Sequence, residues 1–334
     1  MEEINHHFEG DELFRAERWE EAATSYRLAI QVDPDKFLLH SYLAQSMSEL
    51  RRWEEAVTAY RRAIEIEPDD FWSHHRLGRA LSALQRWSEA IAAYREAIRV
   101  DPEDFWSHFY LGQALLESRR WKDAVTAYEE VIRINPGEPS TRQFLGRALT
   151  RLKRWEDAAT AYRQAIELKP DWSLPYYGLG HALEQMERFD EAIDTYKKGI
   201  EVEPANAECR ENLGRLLLML GREEEAAGVY SQLIGLTTSP PLLIVIGEIL
   251  HQTGNTDLEI ASYCRSIELS PGEPLGYNKL GLLFEKLDRG AEAVEFYKQA
   301  VANGAADELT QARLASLSNN AGSRRCYPVI LNLT

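Results

Sequence analysis

Apolar residues recur along this chain in two alternating helical rhythms. From Phe71 to Leu84, the residues Leu77, Ala80, Leu81 and Leu84 fall at i, i+3, i+4 and i+7, one face of a helix. From Ser88 to Val100, Ile91, Tyr94, Ala97 and Ile98 form a second stripe. Small Gly78 and Ala90 let the two helices approach closely, and Pro102 ends the second and opens the link onward. The pattern then returns. Pro34, Pro68, Pro102, Pro136, Pro170 and Pro204 are spaced 34 residues apart, and Tyr26, Tyr60, Tyr94, Tyr128, Tyr162, Tyr196 and Tyr230 keep the same step. A period of this size predicts a solenoid, in which a single helix pair cannot bury its stripe and stacked pairs share one core.

Counted so that the proline falls at position 32, each unit carries Leu at 7, Gly at 8, Ala at 20, Tyr at 24 and usually Ala at 27. This unit resembles the tetratricopeptide repeat (TPR). The resemblance implies an all-α fold, a right-handed α-α superhelix of about nine helix-turn-helix repeats. The units run 3–36, 37–70, 71–104, 105–138, 139–172, 173–206, 207–239, 240–273 and 274–307. The eighth is irregular, with Glu259 where Ala is expected, and in the ninth Ala305 replaces the proline. Residues 308–318 read as an amphipathic capping helix and 319–334 as a disordered tail.

In TPR proteins the first helices line a concave groove, and the resemblance implies that positions 2, 5, 9, 12 and 13 face it. Position 2 reads Leu38, Trp72, Trp106, Ser140, Leu174 and Glu208. Position 5 reads Ser41, His75, Phe109, Gln143, Tyr177 and Glu211; position 9 reads Gln45, Arg79, Gln113, Arg147, His181 and Arg215. Two features are expected to bind a peptide: an aromatic patch of Trp72, His75, Trp106 and Phe109, and a polar ladder of Arg79, Gln113, Arg147, His181 and Arg215, with Tyr177 beside it. Exposed aromatics anchor interfaces, Arg grips carboxylates and Gln bonds peptide backbone. The chaperone-binding relatives hold a carboxylate with Lys at 5 and Asn at 9, a pair that no regular unit carries. The glycosyltransferase relatives carry Asn at position 6, which here reads Tyr42, Arg76, Tyr110, Phe144, Gly178 and Asn212.

Composition narrows the reading further. A formal net charge of -16 argues against a phosphate-backbone binder. Three cysteines, Cys209, Cys264 and Cys326, build neither a disulfide framework nor a metal knuckle. Adjacent His74 and His75 point about 100° apart on a helix and cannot share a metal. No nucleophile elbow, phosphate loop or zinc motif occurs. Arg18, Arg52, Arg86, Arg120, Arg154, Arg188 and Arg222 form a second ladder before each second helix, read as pairing with the acids that follow.

The expectation is a non-catalytic scaffold, with no cofactor and no metal. It would bind a protein or peptide with apolar and acidic side chains, and neither nucleic acid nor membrane. With no leader or membrane-length apolar run, a cytoplasmic location is expected. Two alternatives stand beside it. One is the recognition arm of a glycosyltransferase, sulfotransferase or methyltransferase, for which residues 308–334 leave too little chain. The other is a scaffold that self-associates.

Overall fold

The computed structural model describes residues 2–321, and these hold helices and no strand. The helices group into two compact units, Met1–Arg188 and Phe189–Thr334. The first contains α1 (Glu2–Arg15), α2 (Trp19–Val32), α3 (Phe37–Glu49), α4 (Trp53–Ile66), α5 (Phe71–Ala83) and α6 (Trp87–Val100). It continues with α7 (Phe105–Glu117), α8 (Trp121–Ile134), α9 (Pro139–Arg151), α10 (Trp155–Leu168) and α11 (Leu174–Gln185). The second contains α12 (Phe189–Val202), α13 (Ala207–Met219), α14 (Glu223–Leu236), α15 (Pro240–Gln252), α16 (Thr256–Leu269), α17 (Pro274–Lys286), α18 (Gly290–Ala302) and α19 (Glu308–Ala321).

Within each unit, a helix packs on the next, and first helices such as α3, α5, α7 and α9 also touch in succession. The repeated tyrosine of the second helix lies fully buried against the repeated glycine of the first. A Cβ at Gly78 would lie 2.5 Å from the Tyr94 ring, and one at Gly112 would lie 2.6 Å from Tyr128. The glycine is therefore required by close approach rather than by backbone freedom. Alanines such as Ala56, Ala90 and Ala124 are completely covered on the facing helix.

Each element starts and stops for an identifiable reason. Asp70 accepts a bond from Ser73 N at 2.8 Å and Asp104 from Ser107 N at 2.5 Å, capping α5 and α7. First helices end in a left-handed residue: Arg51, Gln85, Arg119 and Lys153 have φ of 57–61°. The next amide then reaches back, Arg52 N to Met47 O at 2.8 Å and Arg86 N to Leu81 O at 2.9 Å, closing the helix terminus. In the link between repeats, the Nε2 of His40 and His74 donates to the carbonyls of Pro34 and Pro68, both at 2.8 Å. This fixes His74 away from the groove.

The arginine ladder before the second helices is a lattice of ion pairs. Arg52 binds Glu55 at 2.6 Å and reaches Glu20 of the preceding repeat at 2.9 Å; Arg86 binds Glu89 at 2.8 Å and Glu54 at 3.0 Å. Hydrogen bonding to Arg86 holds the Glu89 carboxyl below its ordinary range. Each exposed pair contributes at most about 1 kcal/mol, but together they tie neighbouring repeats.

In the second unit, α19 begins as other first helices do. Asp307 caps Thr310 N at 2.8 Å, and Thr310 Oγ1 donates to Asn278 Oδ1 at 2.7 Å. Leu314 and Leu317 pack on the cluster that contains Leu280 and Phe284. The helix runs three residues beyond its expected end at 318; the rest of the expected tail, 322–334, lies outside the described residues.

Candidate functional site: an aromatic and cationic recess in the first unit

Trp72 and Trp106 each occupy the second residue of a first helix, α5 and α7. They are 58% and 54% exposed. Both hold the same attitude. Trp72 stands edge-on to Phe71 at 5.0 Å and 74°, and Trp106 stands edge-on to Phe105 at 4.9 Å and 85°. Beneath them lie His75, at 6.4 Å from Trp72, and Phe109, at 6.1 Å from Trp106, again edge-on. His75 and Phe109 are buried, so the exposed aromatic surface is the two indoles and not the four-residue patch of the sequence reading.

His75 works inside the fold. Its Nδ1 bonds Ser107 Oγ at 2.8 Å, with Asp104 Oδ2 3.9 Å away. Burial pushes the imidazole down to about 4, outweighing the opposing pull of Asp104, so it is neutral near pH 7. The same inter-repeat clasp links Ser73 to Ser41 at 3.4 Å. In the following repeat Phe109 replaces the polar residue. Its counterpart Thr141 is fully buried, and Thr141 Oγ1 has no hydrogen-bond partner among the described residues. A second polar atom is stranded nearby. The hydroxyls of Tyr94 and Tyr162 meet Ser82 at 3.3 Å and Thr150 at 3.4 Å, but Leu116 stands at that place for Tyr128, whose hydroxyl has no partner among the described residues. A buried unpaired polar group costs roughly 1–3 kcal/mol.

Beside the indoles lie two recesses that share Arg79. One, of about 420 Å³, is lined by Arg79, Tyr94, Tyr110, Gln113, Leu116, Glu117 and Phe144. The other, of about 300 Å³, is lined by Gln45, Tyr60, Arg76 and Arg79. Trp106 stacks on Tyr110 at 5.9 Å, which puts it at the rim of the first. The guanidinium of Arg76 sits 5.6 Å from the Trp72 ring and its Nη1 donates to Gln45 Oε1. Arg79 lies 5.8 Å from the Tyr110 ring, is exposed, and forms no ion pair among the described residues. Arg147 lies 5.2 Å over Phe144, with Glu117 only within 3.9 Å.

The remaining expected residues lie further off. Tyr177 and His181 are half-buried on α11, with His181 edge-on to Trp155 at 5.8 Å. Arg215 belongs to α13 of the second unit, where its Nη2 donates to Asn212 Oδ1 at 3.2 Å. Arg76 and Tyr110, at position 6, were absent from the expected site. Their signal was the run Tyr42, Tyr110 and Phe144, each of which stacks on the buried tyrosine of the preceding repeat.

The second unit has a recess at equivalent repeat positions, about 330 Å³, with Glu248, His251, Glu259, Tyr263, Lys279 and Lys286 along it. Here Lys279 and Glu259 have partners, while Lys286 forms no ion pair among the described residues. Lys279 Nζ lies 2.6 Å from Glu248, and His251 Nδ1 lies 3.0 Å from the buried Glu259. Among the described residues no three His, Cys, Asp or Glu side chains come together as a metal site. Burial pushes the Cys209 thiol up to about 12, so it is no nucleophile at neutral pH. No described helix is long and apolar enough to cross a membrane.

Models of the tetratricopeptide repeat match along most of this frame. One covers residues 75–139 and 177–241, a second covers 49–85 and 146–187, and a third covers 240–273 and 276–302. The chain belongs to the tetratricopeptide repeat family. Among solved structures, it is similar to the TPR protein YrrB, described as having an unusual peptide-binding site. Identity is 18%, over 57% of this chain and 98% of that one, with a TM-score of 0.52. It is also similar to the C-terminal part of a TPR repeat-containing protein from Cytophaga hutchinsonii. Identity is 17%, over 81% of this chain and 98% of that one, with a TM-score of 0.54. At these identities the likeness is one of TPR fold. No curated protein matches the chain. In TPR terms, both recesses of the first unit lie between consecutive first helices and the tyrosine of the intervening second helix.

Proposed function

We propose that this TPR protein is a non-catalytic, cytoplasmic scaffold that binds a peptide or protein partner in the groove of its first unit. The observation that carries the reading is the pair of exposed indoles, Trp72 and Trp106, repeated in one attitude beside an Arg79 that has no acidic partner among the described residues. Large apolar rings left in water cost free energy unless something covers them, and such rings are typical interface anchors. The unpaired guanidinium favours a carboxylate on the partner.

The stranded hydroxyls support the same reading. Both orphans surround the fourth repeat, where Phe109 and Leu116 replace polar residues. Local rules broken at a measurable cost mark places where a fold serves something other than its own stability. YrrB, by its description a peptide binder, is a relative by fold and lends the groove reading an analogy.

A peptide array probed with the wild type and with the Trp72→Ala/Trp106→Ala variant tests the site. Each truncated anchor is expected to cost about 2 kcal/mol, roughly 30-fold in affinity. Unchanged binding by a variant with wild-type helicity removes the indole pair as the site.

A further inference from the structure

The spacing and chemistry of the first-unit groove identify the shape of its ligand, given that the groove binds a peptide through Trp72 and Trp106. The first helices α5, α7 and α9 touch in succession. Packed helices lie about 8–10 Å apart, and the two indoles, at one repeat position on α5 and α7, are taken to step by about that much. The ladder Arg79, Gln113, Arg147 advances by the same step, because these residues hold one repeat position. A ligand that serves every step must present an equivalent residue about every 8–10 Å.

A polyproline II helix does so. It has three residues per turn and rises about 3.1 Å per residue, so one face returns every ~9.3 Å. An α-helix also returns to one face near 10.5 Å, at i+7, but its backbone carbonyls are already bonded. The groove supplies donors that want carbonyls. The amide of Gln113 is half-buried at the recess, and neither indole N–H has a partner among the described residues. A polyproline II backbone has no internal hydrogen bonds and leaves every carbonyl free. Aromatic-lined grooves read such segments because their conformation is already set before binding. The charge follows from Arg79 and Arg147, the first without an acid and the second with one only at 3.9 Å.

We infer that the groove of the first unit takes an acidic, proline-rich segment in the polyproline II conformation, with prolines on Trp72 and Trp106, carboxylates at Arg79 and Arg147, and a backbone carbonyl at Gln113. The net charge of -16 opposes such a ligand at long range, but screening within about 8 Å at physiological salt leaves the local guanidinium groups in control.

Fluorescence anisotropy with four labelled twelve-residue peptides at 0.15 M salt tests this. The first is four repeats of Pro-Pro-Glu and the second is four repeats of Pro-Pro-Lys. The third is four repeats of Ser-Gly-Glu, and the fourth is an amphipathic Leu/Glu helix of matched charge. The Pro-Pro-Glu peptide is expected to bind at least tenfold tighter than the other three, and at least tenfold weaker to either Trp72→Ala or Trp106→Ala. Arg79→Gln is expected to reduce its preference over Pro-Pro-Lys. If the helical peptide binds best and still needs both tryptophans, the polyproline II inference is overturned while the groove reading stands. If none of the four binds in a tryptophan-dependent way, both fail.

Discussion

The two TPR units build the same recess from the same repeat positions and furnish it in opposite ways. In the first unit, Arg79 and Tyr110 line it, Trp106 stands exposed beside Tyr110, and the arginine faces a ring and forms no ion pair among the described residues. In the second unit the corresponding places hold Glu248 and Lys279, which pair at 2.6 Å, and a buried Glu259 held by His251 replaces the repeat's alanine. There Lys279 and Glu259 are already engaged, and displacing an ion pair gives back what a new contact gains; only Lys286 at that recess makes no ion pair among the described residues. The first recess leaves a cation and two indoles uncovered. The frame thus locates candidate recesses, and the pairing within each decides which is available.

Five substitutions break or sharpen this contrast. The largest effect is expected at His75, which clasps α5 to α7 beneath the first recess. Its folded pKa of about 4 lies below the unfolded value, so its contribution is complete above pH 6.5. As pH falls from about 6.5 to about 4, the unfolded chain takes up a proton that the folded chain refuses, and stability drops by up to about 3 kcal/mol. Urea unfolding across this range should show that loss in the wild type and lack it in His75→Gln. Next comes one substitution made in both units. Gly112→Ala sets a Cβ 2.6 Å from the Tyr128 ring, whereas a Cβ at Gly228 meets nothing within 4 Å. Gly112→Ala is expected to cost about 2 kcal/mol by overpacking, and Gly228→Ala to gain up to about 1 kcal/mol from helix propensity. Melting curves that shift the same way for both would contradict the packing reading. Then Glu259→Ala, which restores the residue usual at that position, should change the second unit's stability by no more than about 1 kcal/mol, since removal of a buried carboxylate is offset by the loss of its bond to the buried Tyr263 hydroxyl. The smallest effect is expected at Gln85, held at φ 58° where Gly221 and Gly254 serve the second unit. Gln85→Gly should change stability by only about 0.5 kcal/mol, in the stabilising direction, as relief of left-handed strain slightly exceeds the added freedom of the unfolded chain.

Much of this was legible in the sequence because periodicity is a physical signal. Leu77, Gly78, Ala90 and Tyr94 recur because each meets its counterpart in every copy, so helix order, close contacts and the exposure of Trp72 and Trp106 follow from register. Register does not say which way a groove residue turns. His75 and Phe109 share a position with residues expected on the surface, yet each is drawn under an indole, by a serine on the next helix in one case and by Phe144 in the other. Arg76 and Tyr110 carry no periodic signal of their own because position 6 varies in residue type, although in the second to fifth repeats it stacks on or reaches across to the preceding repeat. The left-handed turn residues were hidden for a similar reason: glycine is their usual signature, and Arg51, Gln85 and Arg119 are not glycine.

The central claim is that the first recess, and not the second, receives the partner. Equal charge reversals in the two recesses test it most directly: Arg79→Glu and Lys279→Glu, with the tightest peptide from the array measured by calorimetry against each. Arg79→Glu is expected to weaken binding at least 30-fold, by losing the guanidinium and adding repulsion, while Lys279→Glu stays within threefold of the wild type. Equal losses in both variants, or a loss confined to Lys279→Glu, would contradict it.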